Sequence, residues 1–337
     1  MIRDAIIALV EGEDLSEEQA AACMAEIMSG EATPAQLGAF LVALRLKGET
    51  VDEIAGMAQT MRDKALRVHV DGALLDTSGT GGDGSRSFNV STAAAFVAAG
   101  AGVRVAKHGN RSITSACGSA DVLEALGAKI DLPPDGVAAC IERTGFGFMF
   151  APAFHPAMKF AAGPRREIGV RTVFNILGPL TNPASAQAQV IGVADGSLAE
   201  RLAQALGRLG TKHALVVHGE DGLDEVSVSA PTRIYDVTDG RVLSTTLQPG
   251  DLELPTHPAE SLRGGTPEEN AGALRRVLEG EAGALRDFTL INAAAALVAA
   301  DRSPDFLDGI ALANGSIDSG AALEKLDAFV RVSNAVS

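Results

Sequence analysis

The chain has 337 residues, 46% of them hydrophobic and 21% charged, enough to bury a substantial core in one large domain or two ordinary ones. Its 43 acidic against 28 basic residues give a formal charge of −15, which speaks against nucleic acid or an anionic membrane as a partner, since both are polyanions. No apolar core follows a basic stretch at the start, later apolar runs are short or glycine-interrupted, and the three cysteines, Cys23, Cys117 and Cys140, lack disulfide or zinc spacing, so a cytoplasmic protein without a membrane span is expected.

In chain order, residues 1–70 read as a helical domain. Three capping boxes mark helix starts: Ser16 with Gln19, Thr33 with Gln36 and Pro34 at the first helical position, and Thr50 with Glu53. Behind them Cys23, Ile27 and Met28, then Leu37, Leu41 and Leu44, then Ile54, Met57 and Met61 recur at helical spacing. From about residue 73 the pattern changes to short β-like runs at 73–76, 103–106, 148–150, 188–194 and 213–219, separated by helical stretches at 91–100, 119–127, 135–143 and 197–209. This alternation predicts an α/β domain over 71–337 with a mixed, largely parallel sheet, whose strand ends form a binding edge. Residues 226–262, with VSVS, TRIYDV and RVLSTTL, read as additional antiparallel strands, and Ala-rich helices around 267–300 and 319–334 close the chain.

The turn Gly79-Thr80-Gly81-Gly82-Asp83-Gly84 follows the first β-like run and matches the dinucleotide fingerprint G-x-G-x-x-G. That fingerprint needs an acid about 20 residues further on, yet from Gly84 to Ala120 there is no Asp or Glu, and the turn lacks the Gly-Lys-Ser/Thr ending of a nucleotide P-loop. The acid-free window instead holds Arg86, Arg104, Lys107, His108 and Arg111, a basic island in an acidic chain. Asn89, Ser91 and Thr92 stand at a predicted helix start, where amides and dipole favour an anion, and Ser112, Thr114, Ser115 and Ser119 add hydroxyls after a second predicted strand. Taken singly these are a tight turn, a helix cap and surface cations; together they predict two phosphate-binding loops at neighbouring strand ends.

After the run 214–217 come Glu220, Asp221, Asp224 and Glu225. Such a loop suits Mg²⁺, which takes few protein oxygens and completes its shell with water and substrate phosphates, although an isolated acidic turn is more often simply solvated. A segment from His155 through Arg165 to the stiff run Arg171–Pro183 mixes cations with apolar turns. Arg165 has the fork geometry for a carboxylate but also reads as an ordinary helix-surface arginine, and His155 is equally open between helix entry and ligand contact.

GTGGD at 79–83, N-x-S-T at 89–92, KHGNR at 107–111, GSADVLEALG at 118–127, R-T-x-F-N-x-L-G-P-L-x-N-P at 171–183 and DGLDE at 221–225 occur in order over nearly the whole chain, and together they resemble the anthranilate phosphoribosyltransferases. The resemblance implies a nucleoside phosphorylase/phosphoribosyltransferase-like fold, a hinge near 68–72, a helical segment at about 165–185 packing on the N-terminal domain, and a homodimer formed through the helical domains. It implies that Gly79, Gly82, Asp83, Ser87, Asn89, Val90, Ser91, Thr92, Lys107, His108, Gly109, Asn110, Arg111, Ser115 and Ser119 bind phosphoribosyl pyrophosphate. Gly79, Asn110, His155 and Arg165 would position anthranilate, and Ser91, Asp224 and Glu225 would serve Mg²⁺, with about two ions per subunit. No catalytic group is certain; Lys107 and His108 are the candidates. Ser87 stands where Thr is common and Thr114 where Ser is common, both keeping a hydroxyl, whereas Arg86 in the glycine-rich turn is unusual.

The implied reaction displaces pyrophosphate from the ribose C1 through an oxocarbenium-like state, so the protein must stabilise the leaving diphosphate and align the amine. Two rivals are a nucleoside phosphorylase of the same architecture, expected to lack the Asp224–Glu225 pair, and a non-catalytic relative that binds nucleic acid, which the charge of −15 opposes.

Overall fold

Side chains that satisfy a helix's own first amides fix three of the four N-terminal helices. The computed structural model describes residues 1–112 and 116–336. It begins with α1 (Ile2–Val10), α2 (Glu17–Ser29), α3 (Pro34–Lys47) and α4 (Val51–Lys64). Ser16, Thr33 and Thr50 each accept from the amide three residues on, and Gln19, Gln36 and Glu53 reach back, closing the three expected boxes. The helix α1 has no side-chain cap; its Ile2 amide donates instead to Glu26 of α2 at 3.0 Å, so it carries no local signal and was not anticipated.

There follow β1 (Leu75–Gly79), α5 (Val90–Gly100), β2 (Val105–Gly109), α6 (Ser119–Ala125), α7 (Pro134–Thr144), β3 (Phe146–Phe150), α8 (Ala151–Phe154), α9 (Lys159–Ile168), α10 (Phe174–Leu177), β4 (Ala188–Gly192), α11 (Gly196–Arg208), β5 (His213–Gly219), β6 (Thr232–Thr238), β7 (Arg241–Leu247), α12 (Pro267–Leu278), α13 (Ala284–Ala299), α14 (Phe306–Asp318) and α15 (Ala321–Ala335). One seven-stranded sheet runs in the order β3-β2-β1-β4-β5-β6-β7. The first five are parallel, and β6 and β7 pair antiparallel at the edge. Because the chain steps from β1 outward to β3 and returns to β4 on the other side of β1, the order reverses between β1 and β4. A crevice therefore opens at their carboxyl ends, Gly79 and Gly192.

Alternation along β5 shows how the core divides: Leu215 and Val217 join the cluster with α5, α13 and α15, while Ala214 and Val216 join the cluster that contains α1 to α4 and α11. The N-terminal helices thus share apolar packing with one face of the sheet. Half-buried Arg62 of α4 fastens this side, donating to the carbonyls of Leu180 at 2.7 Å and Leu209 at 3.2 Å, and desolvation lowers its pKa to about 10.

Two expectations need correction, and two further features fill out the reading. The stretch 165–185 is only partly helical: α9 begins earlier, at Lys159, and ends at Ile168, and beyond it only α10 and a 3-10 turn at Gly178–Leu180 are helical. VSVS at 226–229 alternates like a strand but closes a turn, because the Ser227 hydroxyl donates to Asp221 and accepts from the Ser229 amide. The region 267–300 is broken into α12 and α13 by Gly280 and Gly283, both at positive φ. Finally, α14 was unanticipated, although Asp305 caps it by accepting from Asp308.

Candidate active site

Three chain segments close on one another at the switch point because glycine permits it. A Cβ on Gly79 would lie 2.5 Å from Asp224 Oδ2, and one on Gly192 would lie 1.6 Å from the Asp224 carbonyl oxygen. The Gly81 amide donates to Asp224 Oδ2 at 2.7 Å, stitching the glycine-rich turn to the acidic loop. Gly82, at φ +78°, leaves room for the Arg171 guanidinium, whose Nη2 donates to the Thr80 carbonyl at 3.4 Å. Gly192 and Arg171 carried no distinct signal in the sequence, since their roles depend on which loop lies opposite.

The acidic loop sorts its four carboxylates. Glu220 pairs with Arg233 at 2.6 Å and Asp221 accepts from Ser227 at 2.7 Å, so both hold the loop. Asn292 of α13 accepts from the Val226 amide and donates to its carbonyl, both at 2.9 Å, which fixes the strand of chain just after Glu225. Asp224 and Glu225 turn inward. Burial, and then repulsion from Asp83, raise Asp224 to about 6; burial, and then Asp224, push Glu225 well above its usual value, opposed by Lys107. Mutual repulsion among Asp83, Asp224 and Glu225 is unfavourable in the free protein, and a divalent cation held by the two loop acids would relieve it. Among the described residues no set of three Cys, His, Asp or Glu side chains is arranged around a metal position, so the donors that fit are two carboxylates with phosphate oxygens and water, the shell that Mg²⁺ favours.

Facing these acids, α5 starts without a side-chain cap. Its N-cap residue Asn89 is occupied elsewhere, donating to the Cys117 carbonyl at 3.1 Å and accepting from Asn270 at 2.8 Å. Asn270, on α12, is a partner that no local pattern announced. The Val90 amide donates to the Phe88 carbonyl at 2.6 Å and the Thr92 amide to the Asn89 carbonyl at 3.1 Å, so what this helix start offers an anion is its dipole and the Ser91 amide. Two hydroxyls nearby, Ser78 Oγ and Thr92 Oγ1, are buried with no hydrogen-bond partner among the described residues, as expected of groups that await a ligand. Lys107, 1% exposed, donates to the Thr77 carbonyl, and its Nζ lies 3.3 Å from both Thr77 Oγ1 and Ser91 Oγ. Burial lowers its pKa, and Asp76 and Glu225 oppose that shift.

The basic island of the sequence disperses in three dimensions. Arg104 sits at the amino end of β2, against Gly72, far from the strand ends. Arg111 turns onto α6, bonding Asp121 at 3.1 Å and Glu124, which raises its pKa. Arg86 is exposed at φ 54°, and nothing in the structure explains its side chain. Only Lys107 of the five stands between the glycine-rich turn and α5. Asp83 accepts from the Ser85 amide at 3.2 Å, and Ser87 bridges to Arg263, placing both on the rim beside residues 262–264. Val90 and Thr92 lie in the first turn of α5, and Gly109 packs against Ser119. The Asn110 carbonyl accepts from the Ser119 hydroxyl at 3.4 Å, so Asn110 and Ser119 share one rim. Thr114 and Ser115 lie outside the described residues.

On the other side of Lys107, the rings of His108 and His155 lie 5.1 Å apart. Both rings are buried, and the main chain at Gly178 beside His108 and at Thr181 beside His155 favours their charged forms. Burial first, then His155, lowers His108 to about 3, and burial lowers His155 to about 4. A proton is therefore held poorly at His108, which makes it a weak base and better suited to contact than to proton transfer. The shift also has a stability consequence. The unfolded chain binds a proton at His155 below about pH 6.5 while the folded chain does not until about 4, so stability is lost as pH falls through that window. His155→Phe is expected to lose about 2 kcal/mol less than the parent between pH 7 and 5, read from denaturation midpoints. Arg165 stacks its guanidinium 5.0 Å over the Phe174 ring and makes no ion pair among the described residues; burial lowers its pKa.

Comparisons with known proteins agree with this geometry. Residues 71–323 match the model described as "Glycosyl transferase family, a/b domain", and residues 3–65 match "Glycosyl transferase family, helical bundle domain". The chain is 59% identical over 334 residues to the anthranilate phosphoribosyltransferase of Chloroflexus aurantiacus, covering 98% of both, and 56% identical over 331 residues to that of Moorella thermoacetica, again covering 98% of both. Among solved structures, the Thermus thermophilus enzyme superposes with a TM-score of 0.93 at 48% identity, covering 98% of this chain and 99% of that one. The Saccharomyces cerevisiae enzyme in complex with PRPP and Mg superposes at 0.92 with 29% identity, covering 99% and 98%. With a turn, a helix start, a buried lysine and paired acids gathered at one switch point, and with full-length relatives at this identity, the chain belongs to the anthranilate phosphoribosyltransferases.

Proposed function

We infer that the crevice transfers the 5-phosphoribosyl group from phosphoribosyl pyrophosphate to the amine of anthranilate and releases pyrophosphate, in tryptophan biosynthesis. The observation that carries the reading is the placement of Asp224 and Glu225 opposite Lys107 and the uncapped start of α5. On this reading, Gly79, Gly82, Asp83, Ser87, Asn89 and the α5 residues Val90, Ser91 and Thr92 cradle the phosphates with Lys107 and Ser119. Bound Mg²⁺, about two ions per subunit, supplies positive charge to the leaving diphosphate; Asp224, Glu225 and Ser91 are the residues that would hold it. Lys107, itself almost wholly buried, adds fixed positive charge beside the same group. As the C1–oxygen bond breaks, the amine lone pair forms the new C1–nitrogen bond, and the amine proton leaves to solvent or pyrophosphate.

The acceptor is positioned by Arg165, Asn110, Gly79 and His155. An unpaired guanidinium is a ready partner for the carboxylate of anthranilate, and the neutral imidazole pair offers flat, weakly polar surface to its ring. Arg165→Ala is expected to raise the KM for anthranilate by roughly 10- to 100-fold, the cost of a charge-assisted bond, with the KM for phosphoribosyl pyrophosphate little changed. Equal changes in both constants would contradict this acceptor site.

The same reading makes the protein a cytoplasmic homodimer. No helix among the described residues is long and apolar enough to cross a membrane. Ile7 and Val10 of α1 and Val42 and Leu46 of α3 are exposed, which suits an interface formed through the helical domain.

A further inference from the structure

A fully buried carboxylate, Asp76, lies beneath the site without touching any group assigned above to substrate except through the main chain. It is 0% exposed and is the second residue of β1, three residues before Gly79, where the glycine-rich turn begins. The surrounding ladder is incomplete: β1 and β2 pair only through Leu75 and Val105 and then part, whereas β2–β3 and β1–β4 pair along their whole length. Two backbone groups that a closed ladder would satisfy are met by side chains in the gap. The His108 amide donates to Asp76 Oδ1 at 3.0 Å, and the Ala106 carbonyl accepts from Asn182 Nδ2 at 2.9 Å. Asn182 Nδ2 also donates to Asp76 Oδ2 at 2.8 Å, and Asn182 Oδ1 accepts from the Ala184 amide at 2.8 Å. Thr77, the next residue along β1, gives its freed carbonyl to the Lys107 ammonium.

We propose that Asp76, clamped by Asn182, is a positioning residue that holds β1 and β2 apart at their carboxyl ends, so that the Lys107 ammonium enters the gap and faces the diphosphate. Three features follow from this. The separation lets a lysine on a central strand reach a neighbouring strand's carbonyl instead of leaving the sheet. The charge of Asp76 lies close enough to oppose the desolvation of Lys107. And Asn182, in the turn between α10 and β4, ties the gap to the segment that carries Arg171 and Arg165. A plain apolar filler would leave the His108 amide and the Ala106 carbonyl buried and unpaired.

The inference rests on Lys107 serving the phosphate side, and the test separates the two. Asp76→Asn keeps shape and removes charge; it sets two amide donors against each other where Asn182 now donates. Steady-state kinetics of the full chain with both substrates, alongside thermal unfolding, should show kcat/KM for phosphoribosyl pyrophosphate reduced about 100-fold, as a small misplacement of a charged group produces, with the KM for anthranilate within about twofold. Asn182→Ala, which keeps the carboxylate and removes the clamp, should give the same one-sided loss even where Asp76→Asn does not fold. The proposal is overturned if both variants that fold lose stability but keep kcat/KM for phosphoribosyl pyrophosphate within about threefold, or if the constants for both substrates worsen together. With Lys107→Met measured in parallel, a lysine variant that fails while the clamp variants do not leaves the site reading standing and removes only this inference.

Discussion

Asp224→Asn combined with Glu225→Gln is expected to lower kcat/KM roughly 10³-fold at saturating Mg²⁺ while making the ligand-free protein more stable, an unusual pairing that follows from the electrostatics of the loop. Both carboxyls are buried and face Asp83, so ionising them costs free energy in the folded chain that it does not cost in the unfolded one. For Asp224, whose pKa rises from 3.8 to about 6, the linkage ceiling is about 3 kcal/mol near neutral pH. The sign follows from the proton count: the penalty is present above about pH 6, shrinks as pH falls because the folded state takes up the proton first, and is gone below about 4. Without Mg²⁺, the double variant should therefore melt several degrees above the parent at pH 7.5 and level with it near pH 4. Added Mg²⁺ and pyrophosphate should stabilise the parent and leave the variant unmoved, because only the parent has ligands whose repulsion the ion relieves. A variant that melts lower at neutral pH would show these acids to be structural.

Lys107→Met should be the most damaging single change on the phosphate side, with kcat/KM for phosphoribosyl pyrophosphate reduced by about 10²- to 10³-fold. The replacement matches the stem and removes only the charge, so the Thr77 carbonyl and Ser91 hydroxyl lose a donor, and Asp76 and Glu225 lose the one cation that opposes their desolvation. Pyrophosphate affinity, measured by calorimetry, should fall in proportion, because on the proposed reading the ammonium would meet the leaving group in both ground and transition states. Unchanged pyrophosphate affinity would mean that Lys107 is held for the sheet rather than for the ligand.

What could be read in the sequence was local. The capping boxes at Ser16, Thr33 and Thr50 close within one turn, and all three are formed. The parallel strands declared themselves because a strand buried on both faces is a continuous apolar run, and β4 and β5 are of that kind. The glycine-rich turn and the start of α5 were legible for the same reason. The basic island misled because composition along the chain says nothing about which end of a strand a residue occupies: Arg104 precedes β2, Lys107 lies within it, and Arg111 follows it within reach of two acids on α6. Spacing alone left the four carboxylates of the acidic loop alike, and only the resemblance singled out Asp224 and Glu225; in the structure, Arg233 on β6 and the turn at Ser227 hold Glu220 and Asp221, which separates these two from the pair that faces the crevice.

What stayed hidden was non-local. Asn270 holds the α5 cap residue from 181 positions away, and Asp76 and Asn182 meet across 106. A carboxylate on a strand carries no sign in the sequence that its neighbouring strand will part from it and leave an amide to be satisfied. Gly192 likewise reads as an ordinary strand end until the Asp224 carbonyl is found where its Cβ would be.

The central claim is that this crevice joins anthranilate to phosphoribosyl with the help of a metal held by Asp224 and Glu225. The most direct test is to follow anthranilate fluorescence after mixing the purified protein with phosphoribosyl pyrophosphate and Mg²⁺, with EDTA and the Asp224→Asn/Glu225→Gln variant as controls. Fluorescence should fall with the parent and metal, and stay constant with EDTA or with the variant. Constant fluorescence with the parent, while phosphoribosyl pyrophosphate still binds, would contradict the assignment of the acceptor, and an undiminished rate in EDTA would contradict the role given to the paired acids.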